Sequence, residues 1–150
     1  MKATDLLKKQ HRQVEKLFKQ AKNTEDARGR RQVMEQIISA LKLHTKIEEE
    51  VFYPAVREIG TSKAEEMIDE AFEEHHVVDL VMAELPKVDP EDERFEAKMT
   101  VLSELIEHHV EEEEGEMFPM AEKKLGSERM KELGQQLEQM AGGTTGRRAA

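Results

Sequence analysis

The sequence contains no cysteine. Disulfides, thiolate nucleophiles and thiolate-bound metals are therefore excluded, and any metal must be held by His, Asp or Glu. Aromatic residues make up only 4% of the chain and prolines number four, so helix formers are left to dominate. That balance favours an all-helical protein. No apolar run approaches the roughly 18 residues a membrane span needs. The opening Met1-Lys2-Ala3-Thr4-Asp5 lacks the charged-then-apolar plan of a signal peptide, so the expected compartment is the cytoplasm. Positive charge is scarce: 23 Lys and Arg face 33 Asp and Glu, for a formal net charge of −10. Such a surface repels phosphate backbones and anionic lipids, so no nucleic acid and no membrane is expected as a partner.

What is present is a series of amphipathic segments in a 150-residue chain, a length that suits one core. Four main helices are expected. The first runs from Thr4 to Lys22, with Thr4 as N-cap. The second runs from Arg28 to Ile59 and is closed by Gly60. The third starts after Thr61-Ser62 and ends by Pro86, and the fourth starts after Asp89-Pro90 and runs to Leu125. Pro54 and Pro119 should kink or weaken the ends of the second and fourth. Gly126-Ser127 is a break, and Glu128 to Met140 can form a shorter fifth helix. The expected divisions are a bundle over residues 1–125, a short C-terminal helix over 126–141 and a disordered tail over 142–150. Short connections force neighbouring helices antiparallel, which gives an up-down-up-down four-helix bundle.

Each helix carries an inward seam with spacings of three and four residues. The seams read Leu7, His11, Val14, Phe18; Leu41, His44, Glu48, Val51; Ala71, His75, Val78, Met82; and Ile106, His109, Glu113, Met120. Each main helix thus buries one histidine, and two also bury a glutamate one turn later. At ~1.5 Å per residue the histidines come within about a turn of one another in height, with the fourth helix overshooting. His76 and His108 fall out of phase and belong to the surface or periphery. Of the run Glu111-Glu112-Glu113-Glu114, only Glu113 is in phase. Tyr53 falls beside the seam, as core edge, and Met82, Met99 and Met120 read as core filling. A single buried histidine is ordinarily a hydrogen-bonded core residue. Four in phase with two buried carboxylates, and no Lys or Arg on any seam, call for a multivalent cation.

The second and fourth helices repeat one another. Glu48 follows His44 and Glu113 follows His109 by four residues, and Pro54 and Pro119 follow those histidines by ten. His and Glu at i and i+4 share a helix face and can reach one centre. With Gln10-His11 on the first helix and Glu73-Glu74-His75 on the third, the chain over Leu6 to Leu125 resembles the hemerythrin family, specifically the bacterial His-His-Glu cation-binding domains. The resemblance implies two non-heme Fe ions with an oxo or hydroxo bridge, held by His11, His44, Glu48, His75, His109 and Glu113. It also implies dioxygen, or another small diatomic or peroxide, as the ligand. Oxygen-carrying members have His-x-x-x-His on the third helix. Here Asp79 stands four residues after His75 and Glu15 four after His11, and either acid could fill a coordination position or hold a histidine. Without the fifth histidine about two positions stay open on two six-coordinate ions. The site is then more open to added ligands than a pure carrier's.

Imidazole and carboxylate donors suit iron, manganese or zinc and argue against magnesium and calcium. A ferritin-like di-iron bundle needs two Glu-x-x-His motifs. The chain has one, Glu73 with His76, and that histidine is off the seam. Three function classes follow: dioxygen binding in storage, carriage or sensing; a metal-dependent redox enzyme acting on peroxide or nitric oxide; or a metal-free structural bundle. No nucleophile–base pair is visible, so an enzyme here would have to be metal-driven.

Overall fold

The computed structural model describes residues 1–149 in their backbone and residues 1–142 in their side chains. The expected disordered tail falls, beyond Gly142, outside the fully described residues. Helix α1 is Ala3–Lys22. Helix α2 is Ala27–Ile47, capped by Asp26, which accepts from Gly29 N–H at 2.9 Å. A π-helical turn, Glu48–Phe52, leads into α3, Tyr53–Arg57. Helix α4 is Ser62–Glu84, with Thr61 accepting from Ala64 N–H. Helix α5 is Glu93–Glu112, capped by Asp92 and starting after Asp89-Pro90. A second π-helical turn, Glu113–Met117, leads into α6, Phe118–Ala149. Among the described residues there is no strand, and the expected four-helix bundle is present.

Two local expectations are corrected. Thr4 is not the N-cap of α1. It lies inside the helix, fully buried, and donates its hydroxyl to Glu122 Oε1 at 2.6 Å, tying α1 to α6. Around Pro54 and Pro119 there is a π turn in place of a simple kink. Tyr53 N–H bonds the Glu48 carbonyl and Phe118 N–H bonds the Glu113 carbonyl, five residues back in each case. The prolines that follow have no N–H and crowd the preceding turn. A π turn inserts one extra residue, which moves the inward seam on by one position.

The core lies in two clusters. One contains Leu7, Ile47, Phe52, Ala71, Met117 and Phe118, the other Val14, Leu41, Val78, Leu102 and Ile106. On α1, α2 and α4 the buried histidine stands between residues of the first cluster and residues of the second, and His109 of α5 stands between Ile106 of the second and Met117 of the first, in the π turn beyond. A polar layer is therefore sealed between two apolar ones. Gly126, at φ +84°, breaks α6. Beyond it Met130, Leu133 and Leu137 are buried in the first cluster. The C-terminal helix thus closes that end of the bundle. Gly134 permits this docking, because a Cβ there would stand 1.9 Å from the Met1 carbonyl oxygen.

Candidate metal centre

The six seam residues come together, all buried: His11, His44, Glu48, His75, His109 and Glu113. Every histidine is held by its outer nitrogen. His44 Nδ1 meets Gln10 Oε1, His11 Nδ1 meets Glu114, His75 Nδ1 meets Glu49 and His109 Nδ1 meets Glu74, each at 2.6 Å. A carboxylate or an amide oxygen can only accept, so each Nδ1 carries the hydrogen and each Nε2 turns a lone pair inward. This is the tautomer that a metal-binding imidazole needs.

The inward atoms fall into two sets: His11, His44, Glu48 and Glu113, and Glu48, His75, His109 and Glu113. Within each set the donor atoms lie within 4.8 Å of one another. Both carboxylates belong to both sets. Glu113 faces His11 Nε2 with Oε1 and His109 Nε2 with Oε2, at 3.1 Å each. Glu48 Oε1 lies 3.3 Å from His44 Nε2 and 3.2 Å from His75 Nε2. His44 Nε2 and Glu48 Oε2 are buried with no hydrogen-bond partner. His75 Nε2 and His109 Nε2 lie 3.2 Å apart in the same buried space. Cations resolve all three features, so the donor set fits bound metal.

Electrostatics agree. Burial alone would lower the histidine pKa values, but the carboxylates outweigh it. Glu113 and Glu48 raise His11, Glu48 raises His75 and Glu113 raises His109 well above the ordinary value. Burial opposes the charge of Glu48, yet the surrounding imidazoles hold its carboxyl well below the usual range. The site is an anionic pocket that attracts protons or metal cations.

Sequence reasoning missed Tyr53. Its side chain is fully buried and its hydroxyl lies inside the second set. It donates to Glu113 Oε2 at 2.5 Å, lies 3.0 Å from Glu48 Oε1, and stands 3.1 and 3.2 Å from the Nε2 atoms of His75 and His109. Burial, with Glu113 and Glu48 beside it, pushes the phenol well above its ordinary pKa, so it keeps its proton. The π turn causes the miss. Beyond Glu48 the seam moves on by one, so Phe52 and Tyr53 turn inward and Val51 is only partly buried. Beyond Glu113, Met117 and Phe118 turn inward in the same way, and Met120 is partly buried. Asp79 and Glu15 are exposed, and Glu15 pairs with Arg12 instead of approaching the site. His76 and His108 are also exposed.

The outer partners were missed as well. Glu114, out of phase with the seam, holds His11 and also contacts Arg12. A signal for these residues was present. Glu49 and Glu114 occupy the same position after His44 and His109, and Gln10 and Glu74 each precede the histidine of α1 or α4.

A four-helix bundle with two buried His/Glu sets sharing carboxylates is a cation-binding protein. The profile of the hemerythrin HHE cation binding domain matches residues 2–121, and the chain belongs to that family. Over 129 residues it is 28% identical to a Nostoc sp. protein named DNA nickase, covering 85% of this chain and 36% of that protein. Over 125 residues it is 25% identical to an uncharacterized hemerythrin-like protein of Schizosaccharomyces pombe, covering 83% of this chain and 62% of that one. The chain thus spans less than two thirds of either curated relative. The solved structure of a hemerythrin HHE cation binding domain-containing protein from Mycobacterium kansasii superposes with a TM-score of 0.76 at 22% identity. It covers 95% of this chain and 89% of that one, and supports the fold. No helix among the described residues is long and apolar enough to cross a membrane.

Proposed function

We propose that the chain binds two non-heme iron ions, one in each donor set, and takes up dioxygen there for storage, carriage or sensing, with the cytoplasm as its setting. The observation that carries this reading is the sharing of Glu48 and Glu113 by two four-residue sets. One ion would need one set. Mixed imidazole and carboxylate donors suit iron, and an iron pair supplies redox chemistry toward small oxygen and nitrogen ligands. The protein's part is to fix the rings through Gln10, Glu114, Glu49 and Glu74, and to keep the layer dry. Phe118 stacks on His11 with centroids 5.8 Å apart, and Tyr53 lies against His75 at 5.4 Å. Nucleic acid stands outside the proposal. The name of the Nostoc relative concerns a protein of which this chain matches 36%, and a net charge of −10 opposes a phosphate backbone.

One observation favours the second reading, a metal-dependent redox enzyme acting on peroxide or nitric oxide. The Tyr53 hydroxyl lies among the donors, against Glu113, and is placed to offer a hydrogen bond to a ligand bound inside the site. Metal analysis with visible spectra of the reduced protein, before and after air, separates the readings. Two irons per chain with new charge-transfer bands that reverse on removing oxygen support uptake. Bands that form once and do not reverse support the redox enzyme. Zinc, or no metal, leaves the oxygen chemistry without support.

A further inference from the structure

A small pocket lies between α4 and α5, beside the buried donors. Glu70, Glu74, Glu112 and Glu116 line its outer part, and His109 and Glu113 lie on its inner wall. Its volume is about 20 Å³, room for about one water-sized particle. Glu74 lies in its lining. Its Oε1 accepts from His109 Nδ1 at 2.6 Å, and its Oε2 points outward, 3.7 Å from His108 Nε2. Glu112 Oε1 lies 3.1 Å from the same His108 nitrogen. One donor atom from each of Glu74, His108 and Glu112 lies within 4.8 Å of the others.

A surface His–Glu pair at i,i+4 is ordinary in itself. The pocket adds a link: Glu74 and Glu112 of this triad share its lining with His109 and Glu113, two buried members of the metal set. Charge adds direction. Among the described residues no Lys or Arg pairs with Glu70, Glu74, Glu112 or Glu116; the only ion-pair partners of Glu74 and Glu112 are histidines. Adjacent carboxylates with no Lys or Arg partner, in a chain of net charge −10, focus a negative potential at the mouth.

We propose that metal cations reach the buried donors through this pocket, and that Glu74, His108 and Glu112 at its mouth collect them. The inference rests on the metal-binding reading above and concerns the rate of loading, not the final ligands. The test is uptake of Co²⁺ by the full chain after chelator treatment, under anaerobic conditions. Visible absorption follows the rate, and elemental analysis gives the final stoichiometry. The wild type is compared with His108→Ala/Glu112→Gln and with Glu91→Gln, an exposed carboxylate on the α4–α5 connection that makes the same change in formal charge. Expected are two Co²⁺ per chain in all three proteins, with uptake slowed about tenfold in the double variant alone and its dependence on ionic strength reduced. Wild-type speed in the double variant overturns the route. Equal slowing in Glu91→Gln also overturns it, because overall charge would then be the cause. Fewer than two Co²⁺ in the double variant alone would make His108 or Glu112 part of the final site, again against the proposal. Fewer than two in the wild type overturns the two-ion reading itself.

Discussion

Glu48→Gln is the most informative single change in the centre. Glu48 is fully buried, belongs to both donor sets and is held as a carboxylate by His44, His75 and His109. Glutamine keeps the size and removes one negative charge. Breaking a buried charge pair from one side costs about 3–5 kcal/mol. At about 1.4 kcal/mol per factor of ten, metal affinity falls by between two and nearly four powers of ten. Metal-linked stability follows: each hundredfold loss removes up to about 2.7 kcal/mol when free metal is well above Kd. For a chain of this length that is about 5–10 °C of the metal-induced rise in Tm. The assay is elemental analysis after gel filtration against a competing chelator, paired with thermal unfolding of the same samples. His76→Ala is the control, since His76 is exposed and outside both sets. Two tightly held ions per chain in Glu48→Gln would refute the shared-carboxylate arrangement.

Four further outcomes are expected. Gln10→Ala removes the outer partner of His44 and should weaken metal binding by about 10- to 100-fold while leaving two sites at saturation, read by chelator competition. Tyr53→Phe removes a buried hydroxyl that donates to a carboxylate and should lower the stability of chelator-treated protein by about 2 kcal/mol; an unchanged urea midpoint would count against that bond. In chelator-treated protein, His11, His75 and His109 have raised folded pKa values. Their contribution is complete below the ordinary 6.5 and is lost as pH rises through the folded values. Cations compete with those protons, so metal-linked stability should rise with pH, and urea midpoints with and without metal at pH 6 and 8.5 test the opposite slopes. Gly134→Ala forces a methyl against the Met1 carbonyl and should cost about 1–3 kcal/mol unless the N-terminus moves, seen as a lower Tm with unchanged metal stoichiometry.

The parts legible from sequence were those governed by plain helical phase. His11, His44, His75 and His109 each fall on a seam with apolar neighbours on both sides. Their burial follows, and so does that of the glutamates one turn beyond His44 and His109. Phase fails where the helix is no longer α. Each π turn begins at a donor glutamate, adds one residue, and hands the inward position to Tyr53 or Phe118. Simple periodicity therefore misplaced the aromatic residues closest to the chemistry. The clue lay in the internal repeat, not in the periodicity: an aromatic stands directly before the proline in both copies.

The same repeat shows where the two halves of the site part company. Histidine, glutamate, the glutamate after it and the proline recur in register, but the aromatic is tyrosine in one copy and phenylalanine in the other. Tyr53 brings a hydroxyl to the His75/His109 set, whereas Phe118 brings only an apolar face to His11. The orphaned His44 Nε2 belongs to the set without the phenol. Two ions held by otherwise matching donors would thus sit in unequal surroundings, one beside a hydrogen-bond donor and one against hydrocarbon.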